Sequence, residues 1–105
     1  MVNFTPIVFI KLIDIIPSTR KDKKLMAIFD IGDKIIKTHF GSKFSETFLD
    51  HNNLLKKANY IKRHKALGTE NYNSPITASS LSLNILWNKP TFEESLEDFK
   101  KKFNL

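Results

Sequence analysis

The stretch LMAIFDIGDKIIKTHF, residues 25–40, decides the fold class. Leu25 to Ile31 is a short run rich in β-branched and large apolar residues, and Lys34 to Phe40 is a second. Between them Asp30-Ile31-Gly32-Asp33 carries turn chemistry: two aspartates that tolerate bends, and a glycine able to adopt positive φ. Two strand-like runs closed by such a turn predict a β-hairpin. Two strands alone are marginal in water, so the hairpin needs a third strand or a helical cover.

Working outward towards the N-terminus, Ile7 to Ile16 is dense in Ile, Val and Phe and reads as a further strand, stopped by Pro17-Ser18-Thr19. The charged loop Arg20 to Lys24 joins it to the hairpin, completing a meander over residues 7–40. On the other side Gly41-Ser42 leaves the sheet, and Lys43 to Leu49 reads as an ordered loop carrying Phe44 and Phe48. Asp50 suits the N-cap of a helix reaching about Leu67, with Leu54, Ala58 and Ile61 on one face, Leu55 widening it, and Gly68 at C′.

Glu70 to Ser74 reads as a loop. Thr77 or Ser74 then caps a helix over about Ala78 to Trp87, whose apolar arc (Leu81, Ile85, Leu83, Leu86, Trp87) is wide enough to predict burial on most sides. Ser79, Ser80 and Ser82 permit close approach by neighbours. Pro90 ends that helix, and Thr91 with Glu94 forms a capping box for the last one. Phe92, Leu96, Phe99 and Phe103 recur at i, i+4, i+7 and i+11, while acids lead and Lys100 to Lys102 close, complementing the helix macrodipole. Strands followed by helices predict an α+β fold: a three-stranded antiparallel meander, then three helices over residues 50–103. The Leu81–Trp87 helix is expected at the centre, with the sheet against the stripes starting at Leu54 and Phe92.

The 105 residues suit one domain. With 41% apolar residues, nine of them Phe, the chain carries enough for a modest core, which argues against disorder. The chain has no cysteine, so neither a disulfide framework nor a Cys-based zinc site is available, and a reducing compartment suits it. No apolar run approaches the roughly 20 residues of a membrane helix. The apolar N-terminus, broken by Lys11 and Asp14, lacks the basic region and small-residue cleavage site of a signal peptide.

Seventeen Lys and Arg against eleven Asp and Glu give a formal charge of +6. Such an excess favours anionic partners, although many soluble basic domains bind none. The sharpest cluster surrounds Tyr60, whose helical neighbours are Lys56, Lys57, Arg63 and His64; no acid occurs between Asp50 and Glu70. One reading is phosphate-backbone binding with the ring as a stacking surface; the other is a solvated helix face. Lys34, Lys37, His39 and Lys43 form a second basic group, with Lys37 and His39 on one strand face, which could extend the first or simply be a polar sheet face. Trp87 with Lys89 could clamp a ligand, but the adjacent Leu83 and Leu86 favour a core anchor.

His39, His51 and His64 form no HExxH pattern or i, i+4 pair, so no metal is expected. The Asp30–Asp33 turn is too short for a calcium loop. Three glycines supply no phosphate-binding loop, and no nucleophile elbow is present. Neither a cofactor nor an enzymatic activity is expected.

Five segments carry a resemblance: Lys37-Thr38-His39-Phe40-Gly41; Tyr60-Ile61-x-Arg63-His64-Lys65; Thr77-Ala78 with Leu81-Ser82; Leu86-Trp87-Asn88-Lys89-Pro90-Thr91; and Glu94-Ser95-Leu96 with Asp98 and Lys101. In this order they resemble a family of small basic proteins of unknown function from large nucleocytoplasmic DNA viruses, over the C-terminal two thirds of the chain. The chain departs from that family at Ser79 and near Asn84. The Ile-, Lys- and Asn-rich composition suits an AT-rich genome. The resemblance implies a virion or a host-cytoplasmic viral factory, and no catalytic residues.

The functional expectation is a basic protein binding nucleic acid, DNA ahead of RNA, with little sequence specificity. Lys56, Lys57, Tyr60, Arg63 and His64 would carry the contact, with Lys34, Lys37, His39 and Lys43 contributing. The alternative is a structural or host-interaction protein docking a viral or host protein, or a second copy, through the apolar strand Phe4–Ile16.

Overall fold

The computed structural model describes residues 10–67 and 74–105. Three antiparallel strands, β1 (Lys11–Pro17), β2 (Lys23–Asp30) and β3 (Ile35–Ser42), lie in the order β1-β2-β3. The hairpin turn closes as its residues require. Gly32 takes φ +101°, the Asp30 carboxylate accepts the Gly32 N–H, and Ile31 N–H donates to the Lys34 carbonyl. The hairpin expected from residues 25–40 and the three-stranded meander expected over residues 7–40, in an α+β fold, are what the structure shows. The expectations at residues 7–9, at Gly68 and over residues 70–73 lie outside the described residues.

Strand periodicity assigns the two sheet faces. Leu25, Ala27 and Phe29 pair with Phe40, Thr38 and Ile36, and this face is covered. Met26 and Ile28 pair with His39 and Lys37 on the opposite face. In β1 the register slips between Leu12 and Asp14, so Ile13 forms a bulge.

The helices begin earlier than the sequence suggests. A single turn, α1 (Phe48–His51), starts at Thr47, and Asn52 in the left-handed region ends it. The expected N-cap, Asp50, instead sits at the third position of α1 and accepts the Thr47 N–H at 2.6 Å. The chain then restarts as α2 (Leu54–Leu67), so one expected helix is two. After the undescribed residues come α3 (Ala78–Leu81), continuing into a π-helical turn (Ser82–Leu86), and α4 (Phe92–Phe103). Thr77 and Thr91 cap α3 and α4 by accepting the N–H groups of Ser80 and Glu94.

The core is layered. Ala27, Phe29 and Phe40 of the sheet meet Leu81, Ile85 and Leu86 of α3 and its π turn, and Phe99 of α4 closes the far side. The α3–π segment is therefore central, as its wide apolar arc requires. Gly41, at φ +80°, passes so close to it that an added Cβ would lie 2.6 Å from the Leu86 Cδ1. Buried Asn84 is satisfied within the layer: its amide donates to the Ser80 carbonyl and hydroxyl, and Lys102 donates to its oxygen at 3.4 Å. No described helix is long and apolar enough to cross a membrane.

The expected packing of α2 is overturned. Leu54 and Leu55 are 72% and 71% exposed and Ala58 is exposed, whereas Tyr60 is 9% exposed and turned inward. The Leu54–Ala58–Ile61 stripe therefore does not face the sheet. The stack of Tyr60 on Trp87 and the Lys57–Asn88 hydrogen bond hold the other face of this helix inward.

Candidate nucleic-acid groove

The π turn sets the site. A π-helical turn admits one residue more than an α turn, which rotates the residues after it by about 100°. Trp87, whose N–H donates to the Ser82 carbonyl across that wider turn, leaves the core row of Ile85 and Leu86 and faces α2. Tyr60 stacks on it with centroids 4.2 Å apart and planes 5° off parallel. His64, one turn on, lies against Tyr60 at 4.0 Å, and His51 of α1 lies against Trp87 at 5.5 Å. The rings of Trp87, Tyr60 and His64 follow one another as a column, with His51 tilted at 59° against Trp87.

Hydrogen bonds fix the helix around this column. Lys57 donates to the Asn88 carbonyl at 2.5 Å and sits 5.0 Å above the Phe48 ring. Asn52 donates to the carbonyls of Phe48 and Pro90. From α4, Ser95 accepts the Lys89 N–H and Asp98 accepts from the Asn88 amide. The Asn88-Lys89-Pro90 turn is thus pinned by α1, α2 and α4 together.

With Lys57, Tyr60 and His64 turned inward, the adjacent face of α2 presents Lys56, Asn59 and Arg63, at i, i+3 and i+7. These three line a groove of about 440 Å³ whose other walls are Glu46, His51 and Trp87. A smaller cavity of about 270 Å³ lies on the β3 side, bounded by Tyr60, His64, Ser79, Ser82 and Gly41; Trp87 and Glu46 line both. His51 Nδ1 accepts the Asn53 N–H at 2.9 Å, so the neutral ring carries its proton on Nε2. Thr47 is held by Asp50, whose carboxylate accepts both its N–H and its hydroxyl. The Thr47 backbone N–H, aided by its hydroxyl, keeps the Asp50 carboxyl below the ordinary aspartate range against a smaller opposing effect of burial.

The nine residues expected to bind nucleic acid are thereby sorted. Lys56 and Arg63 line the groove. Lys57, Tyr60 and His64 build the wall behind it. Lys37 and His39 lie on the outer sheet face, where His39 Nδ1 is 2.7 Å from the Ser18 hydroxyl. Lys34 and Lys43 are both exposed, but they stand at opposite ends of β3, about 30 Å apart along the strand. None of these four lines the groove, so the two basic groups do not merge there.

The sequence reading missed Asn59, His51 and Glu46. Asn59 was within reach of it, being three residues after Lys56 and four before Arg63. His51 and Glu46 arrive through the turn of α1, which no periodicity marks.

Residues 13–64 match a family of unknown function, DUF5754. That match spans the meander from Ile13, α1 and α2 as far as His64. It contains the Lys37–Gly41 segment and the start of the Tyr60-Ile61-x-Arg63-His64-Lys65 segment, as well as Lys56 and Asn59 of the groove; Trp87 and the Leu86–Thr91 segment lie beyond it. Neither the curated proteins nor the solved structures yield a match.

Proposed function

We propose that this protein binds nucleic acid through the groove between α2 and Trp87, with little dependence on overall sequence. The observation that carries the reading is the joining of Lys56, Asn59 and Arg63 from one helix face to an aromatic wall. Cations neutralise phosphates and release counterions, and a tryptophan edge beside them offers apolar surface to a sugar or base. Lys62 and Lys65, exposed on the same helix, extend the positive field. The likeness of the quoted segments to proteins of large DNA viruses supports a packaging or architectural role in a virion or viral factory.

The test is binding of labelled duplex and single-stranded DNA of arbitrary sequence across a salt series. Affinity should fall steeply and linearly on a log–log plot. Lys56→Gln with Arg63→Gln should reduce the slope by about 1.4–1.8, two contacts at 0.7–0.9 each. An unchanged slope, or no binding at low salt, refutes the reading. Lys57 is left intact because it holds Asn88 rather than the groove.

Docking of a protein on β1 is the second reading, and half-exposed Ile13 and the sheet-edge position of β1 favour it. The bulge at Ile13 and Pro17 at the strand end are the devices that blunt an edge against pairing, so the groove is preferred.

A further inference from the structure

Glu46 is the one wall of the groove that suits no phosphate. It is exposed and faces a space otherwise lined by Lys56, Arg63, Asn59, His51 and Trp87. A carboxylate repels a phosphate ridge, which is the surface a duplex presents. It accepts N–H donors, and the Watson–Crick edge of an unpaired base offers them at the rim of such a site. The four bases differ there. Guanine presents adjacent ring and exocyclic N–H donors that match the two oxygens of a carboxylate. Adenine and cytosine set one amino group beside a ring acceptor, and thymine sets one N–H between two carbonyls, which a carboxylate repels.

Resting on the nucleic-acid reading, we infer that the groove is a subsite for one unpaired guanine within a single strand. Its Watson–Crick edge meets Glu46, its ring lies along Trp87 and His51, and phosphates of the strand to either side of it lie on Lys56 and Arg63. The volume fits. About 440 Å³ is within the 300–1,000 Å³ of small-molecule sites, enough for one nucleotide and too little for a duplex. Lys56 and Arg63 are seven residues apart, about 10 Å along α2 at 1.5 Å per residue. A stacked strand rising about 3.4 Å per nucleotide covers that distance in about three steps, so the two cations grip phosphates about three nucleotides apart, with the guanine as the middle one. Asn59 stands between them, with an amide able to donate to and accept from the remaining base edge.

Trp87, the single tryptophan, reports occupancy directly by its fluorescence. The full chain is titrated with thymidine 12-mers carrying one central guanine or one central adenine, with the same guanine strand annealed to its complement, and with free 5′-GMP. The guanine strand should bind about ten-fold or more tighter than the adenine strand, and tighter than its duplex. Free GMP should bind weakly, because it lacks the strand phosphates that Lys56 and Arg63 hold on either side. Glu46→Gln should remove the guanine preference while strengthening binding to the adenine strand, since a negative charge leaves the groove; a merely structural Glu46 would weaken both alike. Equal affinity for guanine strand, adenine strand and duplex, unchanged in Glu46→Gln, overturns this inference and leaves nucleic-acid binding standing. Free GMP binding as tightly as the strand overturns it in favour of a mononucleotide site. Absence of binding to any probe at low salt overturns both.

Discussion

The inverted face of α2 gives a sharp test. On the sequence pattern Leu54, Ala58 and Ile61 should be core and Tyr60 surface; the structure reverses Leu54 and Tyr60. Replacing Tyr60 by Ala removes a side chain of about 150–250 Å² that is 91% covered, by subtraction from its 9% exposure. At about 25 cal/mol per Å² that is an upper bound of about 3.4–5.7 kcal/mol, part of which the alanine retains. The parallel stack on Trp87 adds about 0.5–1.5 kcal/mol. The net expectation is a loss of about 3 kcal/mol, in line with aromatic truncations in cores. Leu55→Ala removes a side chain that is 71% exposed. The remaining 29% of a full leucine burial of about 1.5–3 kcal/mol is about 0.4–0.9 kcal/mol, and the gain in helix propensity offsets some of that. Urea denaturation followed by far-ultraviolet circular dichroism measures both. A Leu55→Ala variant less stable than Tyr60→Ala would refute the docking of α2 through Tyr60.

Three further outcomes are expected. Gly41→Ala should cost about 2–5 kcal/mol in a thermal or urea melt, combining about 1–2 for positive φ with about 1–3 for intrusion on Leu86; Gly32→Ala, whose Cβ would meet nothing within 4 Å, should cost only the first part. Thr91→Ala should lose about 1 kcal/mol, because the Glu94 N–H loses its acceptor, while Thr91→Ser keeps most of it. Asp50 binds its proton more weakly folded than unfolded, so its contribution is present above the ordinary aspartate range and is lost as pH falls through that range to its lower folded value. Asp50→Asn should therefore flatten stability against pH in that acidic window and leave the profile's shape at neutral pH unchanged, measured by denaturation midpoints at a series of pH values.

The turn glycine and the cap of α4 are features that local sequence exposes. The hairpin was legible because its code is local: a run of β-favouring apolar residues on each side, with Asp30 and Gly32 at the turn between them. The last helix was legible for the same reason, since Thr91, Glu94 and the Phe92–Phe103 stripe specify cap, face and length within one element. The central place of the Leu81–Leu86 segment followed from an apolar arc too wide for a surface helix.

The site was only partly legible. The acid-free basic stretch from His51 to Thr69 pointed to α2, and Lys56 and Arg63 do face the groove. Which side of α2 faces inward was not written in α2. Its apolar residues are few and scattered, and burying Leu54 and Ala58 offers less than one close aromatic stack with a hydrogen-bonded lysine beneath it. That stack forms where the π turn brings Trp87, still packed against the core, up to α2, and its partner lies 27 residues away in the chain. The sequence by itself determined the elements, their order and the positive charge of α2. The tertiary structure alone decided which cations stay free for a ligand, because that choice rests on contacts between residues no periodicity connects.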